Sequence, residues 1–156
     1  MPLVAATPGD RELMALALAE ARKSYDQGGI PVGAVMARGG KVFAAGHNRS
    51  RQTNDPTSHG ETDCIRNAGL QDSYEDVTLY TTLSPCMMCA GAMLFLGVPK
   101  VVVAERDSYR GDLDFLMARG MAVSLLDDPD CIALMRHFIA EHQELWRRIG
   151  TANRAD

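Results

Sequence analysis

The sequence has no surplus of positive charge. Its 16 Lys and Arg face 20 Asp and Glu, for a formal net charge of −4 and a pI near 5.5. That balance argues against a broad phosphate-binding surface, so no nucleic-acid partner is expected. Long apolar runs are also missing. None approaches the roughly 20 residues that a membrane span needs, so no membrane partner is expected either. The start, Met1-Pro2-Leu3-Val4, has neither a basic region nor a long apolar stretch, and the expectation is a chain without a secretory signal. Cysteine is scarce: there are four, unevenly spread. They do not suit a disulfide framework, which points to a reducing, cytoplasmic compartment. Repeats and low-complexity linkers are absent. What is present is 156 residues, 46% of them hydrophobic. That is chain enough for one domain with a real core, expected over residues 1–156 with its centre at about 10–150.

Two of the four cysteines belong to a split motif. His59-Gly60-Glu61 is followed downstream by Ser84-Pro85-Cys86-Met87-Met88-Cys89. Imidazole and thiolate are ligands that suit zinc, and His59, Cys86 and Cys89 supply three. A structural zinc site fills all four tetrahedral positions with protein, whereas three protein ligands leave one open for water. Glu61 lies two residues from His59, where a carboxylate can take a proton from that water and pass it on. The expectation is one Zn²⁺ per chain, with Glu61 catalytic. A Cys-x-x-Cys between a strand and a helix also fits a thiol–disulfide oxidoreductase using Cys86 and Cys89, but that reading leaves His59 and Glu61 idle. Cys64 and Cys131 read as small buried hydrophobes. His47 reads as a loop residue, and His137 and His142 as helix-surface residues.

The pattern of apolar positions predicts the elements. Asp10 caps a first helix over 10–27, with Leu13, Met14, Ala17, Leu18, Ala21 and Tyr25 on one face. Strands follow over 30–36 and 41–45, joined at Gly39-Gly40. A loop, 49–58, leads to a helix over 59–69 that Thr57 and Ser58 can cap. Residues 77–83 read as a buried strand. Ser84 then offers an N-cap hydroxyl and Pro85 the first helical position, so Cys86 and Cys89 fall on one face of a helix over 86–97. A strand over 100–104, a helix over 111–119 and a strand over 121–126 come next. Asp127-Asp128-Pro129-Asp130 opens a last helix running to about 148. Strand and helix alternate in the later half, which implies parallel pairing. The expected fold is α/β: a three-layer α/β/α arrangement, with a mixed five-stranded sheet and helices on both faces.

His59-Gly60-Glu61, the run Thr78-Leu79-Tyr80-Thr81-Thr82-Leu83-Ser84-Pro85-Cys86, Cys89 and Gly91-Ala92 resemble the cytidine-deaminase superfamily, whose zinc signature is His-x-Glu followed by Pro-Cys-x-x-Cys. Within it the chain is most similar to fungal-type cytosine deaminases, which act on the free base. The resemblance implies a homodimer and a small-molecule nucleobase substrate. It implies that Asn48 meets the base edge, that the Gly60 N–H donates to the ring carbonyl, and that the Ser84 carbonyl receives the leaving amine. Tyr109 falls at a pocket aromatic and Trp146 at a C-terminal lid. The tRNA adenosine deaminases usually carry Ala where this chain has Gly60. One departure concerns the family's acidic residue just after the lid Trp. Here the run is Trp146-Arg147-Arg148-Ile149-Gly150, one residue shorter and basic. The implied substrate is cytosine or isocytosine, with Asn48 as the acceptor that favours cytosine. The alternatives are a guanine or nucleoside deaminase and, further off, a tRNA adenosine deaminase.

Overall fold

The computed structural model describes residues 2–149. Met1 and residues 150–156, which the expected single domain includes, lie outside the described residues. The elements are α1 (Pro8–Asp26), β1 (Gly33–Arg38), β2 (Lys41–His47), α2 (Ser50–Thr53), α3 (Gly60–Ala68), β3 (Val77–Thr81), α4 (Met87–Leu96), β4 (Lys100–Val103), α5 (Leu113–Ala118), β5 (Ala122–Leu125), α6 (Pro129–Glu141) and α7 (Gln143–Arg148).

Five strands form one sheet in the order β2-β1-β3-β4-β5. β1 pairs antiparallel with β2 and with β3, while β3–β4 and β4–β5 are parallel. The β1–β2 hairpin turns at Gly39 and Gly40, both at positive φ (58° and 77°). Two adjacent positive φ values suit a tight hairpin and favour glycine. Alternation along each strand then sorts the core. Ala34, Met36, Val77, Leu79, Val101, Val103 and Val123 face Cys64 of α3, Ala90 and Met93 of α4, and Leu116 of α5. Val35, Ala37, Tyr80 and Val102 face Met14, Ala17, Leu18 and Ala21 of α1 and Cys131 of α6. This is the expected mixed sheet covered on both faces. Cys64 and Cys131 are buried in it, as expected of small hydrophobes.

Several expected boundaries move, each for a local reason. Thr7, not Asp10, caps α1: its hydroxyl accepts from the Asp10 N–H, and the Asp10 carboxylate accepts from the Thr7 N–H. Asp10 is the third helical residue of a capping box, and its carboxylate also receives the Tyr80 hydroxyl and Lys100. The expected first strand begins three residues early, because Ile30 and Val32 pack sideways into a separate apolar cluster. The expected loop 49–58 contains the short α2. The last helix is not continuous: it breaks at His142 (φ −133°, ψ 46°), where the chain turns before α7. His142 stacks on Phe138, with ring centroids 4.7 Å apart. Among the described residues, no helix is long and apolar enough to cross a membrane.

Candidate active site

The expected caps of the two motif helices are displaced. His59 itself is the N-cap of α3, and Cys86, two residues after Ser84, is the N-cap of α4. Cys89 is therefore the third residue of α4. The two helices begin beside one another, so the free N–H groups and positive dipole ends of both converge on the motif. Thr62 fixes the start of α3: its hydroxyl accepts from the His59 N–H at 2.9 Å and donates to the Thr57 carbonyl at 2.6 Å.

Three ligand atoms meet there. His59 Nδ1 lies 3.5 Å from Cys86 Sγ and 3.6 Å from Cys89 Sγ, and the three atoms lie within 4.8 Å of one another. A tetrahedral zinc with Zn–N near 2.0 Å and Zn–S near 2.3 Å requires N···S separations of about 3.5 Å. The donor set and its spacing fit one zinc ion per chain. The hydrogen bond from Cys89, with His59 beside it, outweighs burial and pulls the Cys86 thiol down to about 4. Cys89 is pushed up by that same bond and by burial. The hydrogen bond to Cys86 raises His59 against the effect of burial.

Glu61, the second residue of α3, is 3% exposed. Burial pushes its carboxyl up, against the pull of its own backbone N–H and of His59. Its Oε1 accepts from the Thr81 hydroxyl at 3.0 Å. Sequence reading passed over Thr81. The signal was there: on the β3 face that carries Val77 and Leu79, the next position is a hydroxyl.

Asn48 follows β2 and is 5% exposed. Its Oδ1 accepts twice from Ser50, from the backbone N–H at 3.0 Å and from the hydroxyl at 2.7 Å. A backbone N–H only donates, so the orientation of the amide is fixed. The expectation that Asn48 supplies an acceptor to the base is corrected: its oxygen is committed, and what it has to offer is Nδ2–H. The backbone around it is equally fixed. Its carbonyl accepts from the Ser24 hydroxyl at 2.6 Å, and its N–H donates to Val32 O at 2.8 Å. His47, next door, stands between Glu20 (2.9 Å) and Gln27 (3.1 Å) and is no ligand.

Gly60 is buried against the same Val32. A Cβ at Gly60 would sit 3.0 Å from Val32 O and 3.2 Å from Val32 Cγ1. Val32 O holds the Asn48 N–H, so crowding at Gly60 is transmitted to Asn48. We predict that Gly60→Ala retains zinc but lowers kcat/KM by about tenfold, the scale of a sub-ångström misplacement of a binding group. Steady-state kinetics and zinc analysis check this, and unchanged kcat/KM would count against the coupling.

Ser84 turns its side chain away from the motif. Its hydroxyl donates to Arg110 O and its N–H to Glu105 O, both at 2.9 Å. Those two bonds strap the loop that carries Tyr109 onto the turn that carries Cys86. Tyr109 and Trp146 join one cluster with Ile30, Val32, Leu83, Met135 and Phe138. That cluster borders the site through Val32, which backs Gly60, and through Leu83, which precedes Ser84. Arg147 and Arg148 point outward, 72% and 76% exposed, and both pair with Glu144.

Residues 8–105 match the model of the cytidine and deoxycytidylate deaminase zinc-binding region. A cytosine deaminase of Candida albicans is 40% identical over 140 residues, covering 88% of this chain and 93% of that relative. A tRNA-specific adenosine deaminase of Aquifex aeolicus is 32% identical, covering 78% of each chain. Among solved structures, a guanine deaminase from Nitrosomonas europaea superposes with a TM-score of 0.71 at 26% identity, covering 89% of this chain and 87% of that one.

Proposed function

We propose, for a chain that belongs to the cytidine and deoxycytidylate deaminase family, that its substrate is a free pyrimidine base, cytosine or isocytosine, hydrolysed to uracil and ammonia. That the chain is a zinc deaminase, a hydrolase acting on a C–N bond, follows from the family and from the ligand cluster. The observation that carries the free-base reading is the 40% identity to a cytosine deaminase along nearly its whole length, and the polarity of the Asn48 amide suits the ring carbonyl of such a base.

Four of the chain's own groups suit one edge of such a base. Glu61 takes a proton from the attacking water and gives it to the ring nitrogen beside the amine-bearing carbon. It then helps to protonate the leaving amine, which the Ser84 carbonyl receives. The Gly60 N–H and the Asn48 Nδ2–H both suit the ring carbonyl two atoms further on. His59, Cys86 and Cys89 would hold the zinc, which would acidify a bound water to a pKa of about 7, as in comparable sites.

Cytosine and isocytosine share that edge. When their amine-bearing carbons are superposed, the ring nitrogen and carbonyl coincide. They differ at the next position, an N–H donor in cytosine and a C–H in isocytosine. With its oxygen held by Ser50, Asn48 does not select the N–H, so it no longer favours cytosine. Selection at that position falls to the apolar cluster of Tyr109, Leu83 and Trp146. Guanine shares the isocytosine edge but adds a second ring against the Trp146 side. The Aquifex aeolicus relative raises a tRNA substrate, which the chain's net charge of −4 does not favour.

We also assign a single deaminase domain, a cytoplasmic setting, in keeping with four free cysteines, and a homodimer, in keeping with exposed Met87, Met88 and Phe95 (43%, 38% and 89%). The test is an ammonia-release assay comparing kcat/KM for cytosine, isocytosine, guanine, cytidine and a tRNA. One of the two pyrimidine bases should be best. Highest kcat/KM on cytidine or on the tRNA would overturn the free-base reading.

A further inference from the structure

We propose that the Thr81 hydroxyl is a positioning group for Glu61, holding one carboxyl oxygen in place so that the other exchanges the proton. The proposal rests on the reading of Glu61 as the proton carrier. It starts from position. Thr81 is the last residue of β3, the middle strand of the sheet, and its backbone is fixed on both sides. It pairs with Ala34 of β1 and with Val103 of β4, and its carbonyl accepts from the Ala104 N–H at 2.9 Å. Its side chain lies on the face of β3 that packs towards α3, in line with Val77 and Leu79. At 0% exposure an aliphatic residue would suit this place on burial alone. A hydroxyl there needs partners, and it has two: Glu61 Oε1 and the Leu83 carbonyl oxygen, each at 3.0 Å.

Counting protons shows what this arrangement does. A threonine hydroxyl has one hydrogen to donate and lone pairs to accept with. Both of its neighbours are acceptors when Glu61 is a carboxylate, so it serves one at a time. With Glu61 ionised, the hydrogen points to Oε1, where an ionised acceptor makes the stronger bond. With the proton on Oε2, Oε1 is still an acceptor and the threonine hydrogen stays on it. The Glu61–Thr81 bond therefore persists in both states and keeps its direction. Neither state strands a buried polar group on Glu61, which would otherwise be costly at a residue 3% exposed. The carboxyl is thus held at one point through a reaction in which it gains and loses a proton. The remaining oxygen, Oε2, is left to carry the proton between water, ring nitrogen and amine.

The experiment compares Thr81→Val, Thr81→Ser, Glu61→Gln and the double variant Thr81→Val/Glu61→Gln, each purified with zinc and assayed on the best base from the substrate comparison. Valine keeps the shape and removes the hydroxyl, while serine keeps the hydroxyl. Thr81→Val should lose about ten- to a hundredfold in kcat, the cost of a misplaced reacting group, with KM little changed and zinc retained. Thr81→Ser should recover most of that loss. The double variant should be no slower than Glu61→Gln alone, because groups that act through one another are not additive. Wild-type kcat in Thr81→Val, equal losses in the valine and serine variants, additive losses in the double variant, or loss of zinc from Thr81→Val would each overturn the proposal. Near-wild-type turnover in Glu61→Gln would instead remove the proton-carrier reading, and this proposal with it. A silent Glu61→Gln beside a fully active Thr81→Val would remove this proposal alone.

Discussion

Glu61→Gln should keep one zinc per chain and a melting temperature no lower than wild type, and should lose about 10²–10⁴-fold in kcat, the range that general acid–base catalysis supplies. The fold is expected to hold because Gln matches Glu in shape and its amide oxygen can still accept from Thr81. The cap of α3 does not involve this side chain: it is made by His59 and Thr62. Removing the charge also removes a cost. Burial raises the Glu61 carboxyl, which means that the folded state resists ionising it. Stability from such a group is fully present below the ordinary carboxylate pKa and is lost as pH rises through the raised one. The neutral amide escapes that loss, so its effect on stability near pH 7 is neutral or favourable. Turnover is a different matter, because an amide cannot take up a proton and give it back. Turnover, zinc content and thermal melting on one preparation test this. Near-wild-type kcat would show that Glu61 is not the proton carrier.

How much of this was legible in the sequence varies with the kind of signal. The sheet was legible because β3 and β4 are short β-branched runs, the first two strands turn on a glycine pair, and parallel pairing of the later strands follows from their alternation with helices. The zinc cluster was legible because ligand chemistry restricts residue type, so two cysteines and a histidine stand out wherever they fall. Exact helix starts were not. Ser84 and Pro85 form a strong capping pair by propensity, yet α4 begins after Cys86. Ser84 instead spends both its N–H and its hydroxyl on the loop that carries Tyr109. Propensity describes what a residue does with local partners, and here distant ones prevail. The Asn48 amide shows the same limit. Nothing in Asn48-Arg49-Ser50 says which end of the amide faces the site, and only Ser50 folding back fixes it. Thr81 escaped notice for a related reason. A threonine in a strand is ordinary, and its meaning appears only when α3 brings Glu61 beside it from 20 residues away.

Cys86→Ser should lose zinc, and the position of Cys86 makes this a clean test of ligation. Serine is among the preferred N-cap residues, so the substitution leaves α4 with a start at least as good as the cysteine gave it. What it removes is the thiolate, the soft ligand that zinc selects and the one that Cys89 and His59 hold deprotonated, down to about 4. A serine hydroxyl stays protonated and is a poor replacement. Altering a residue that merely supports a ligand costs about 10–100-fold in metal affinity, so loss of a ligand should exceed the upper end of that range. At saturating zinc, each hundredfold loss of affinity removes about 2.7 kcal/mol of stabilisation. For a domain of this size that corresponds to a fall of about 5–10 °C in melting temperature. Cys131→Ser is the control. Cys131 is buried on the far face of the sheet with Leu18 and Val102, so that variant should also melt lower but keep its zinc. Elemental analysis after dialysis against a mild chelator separates the two. One zinc per chain in Cys86→Ser, or equal losses in both variants, would remove Cys86 from the ligand set. Loss from Cys86→Ser alone would leave stability and metal content uncoupled in the control and tied together at the site, as expected of a metal that is held by the fold and in turn holds it.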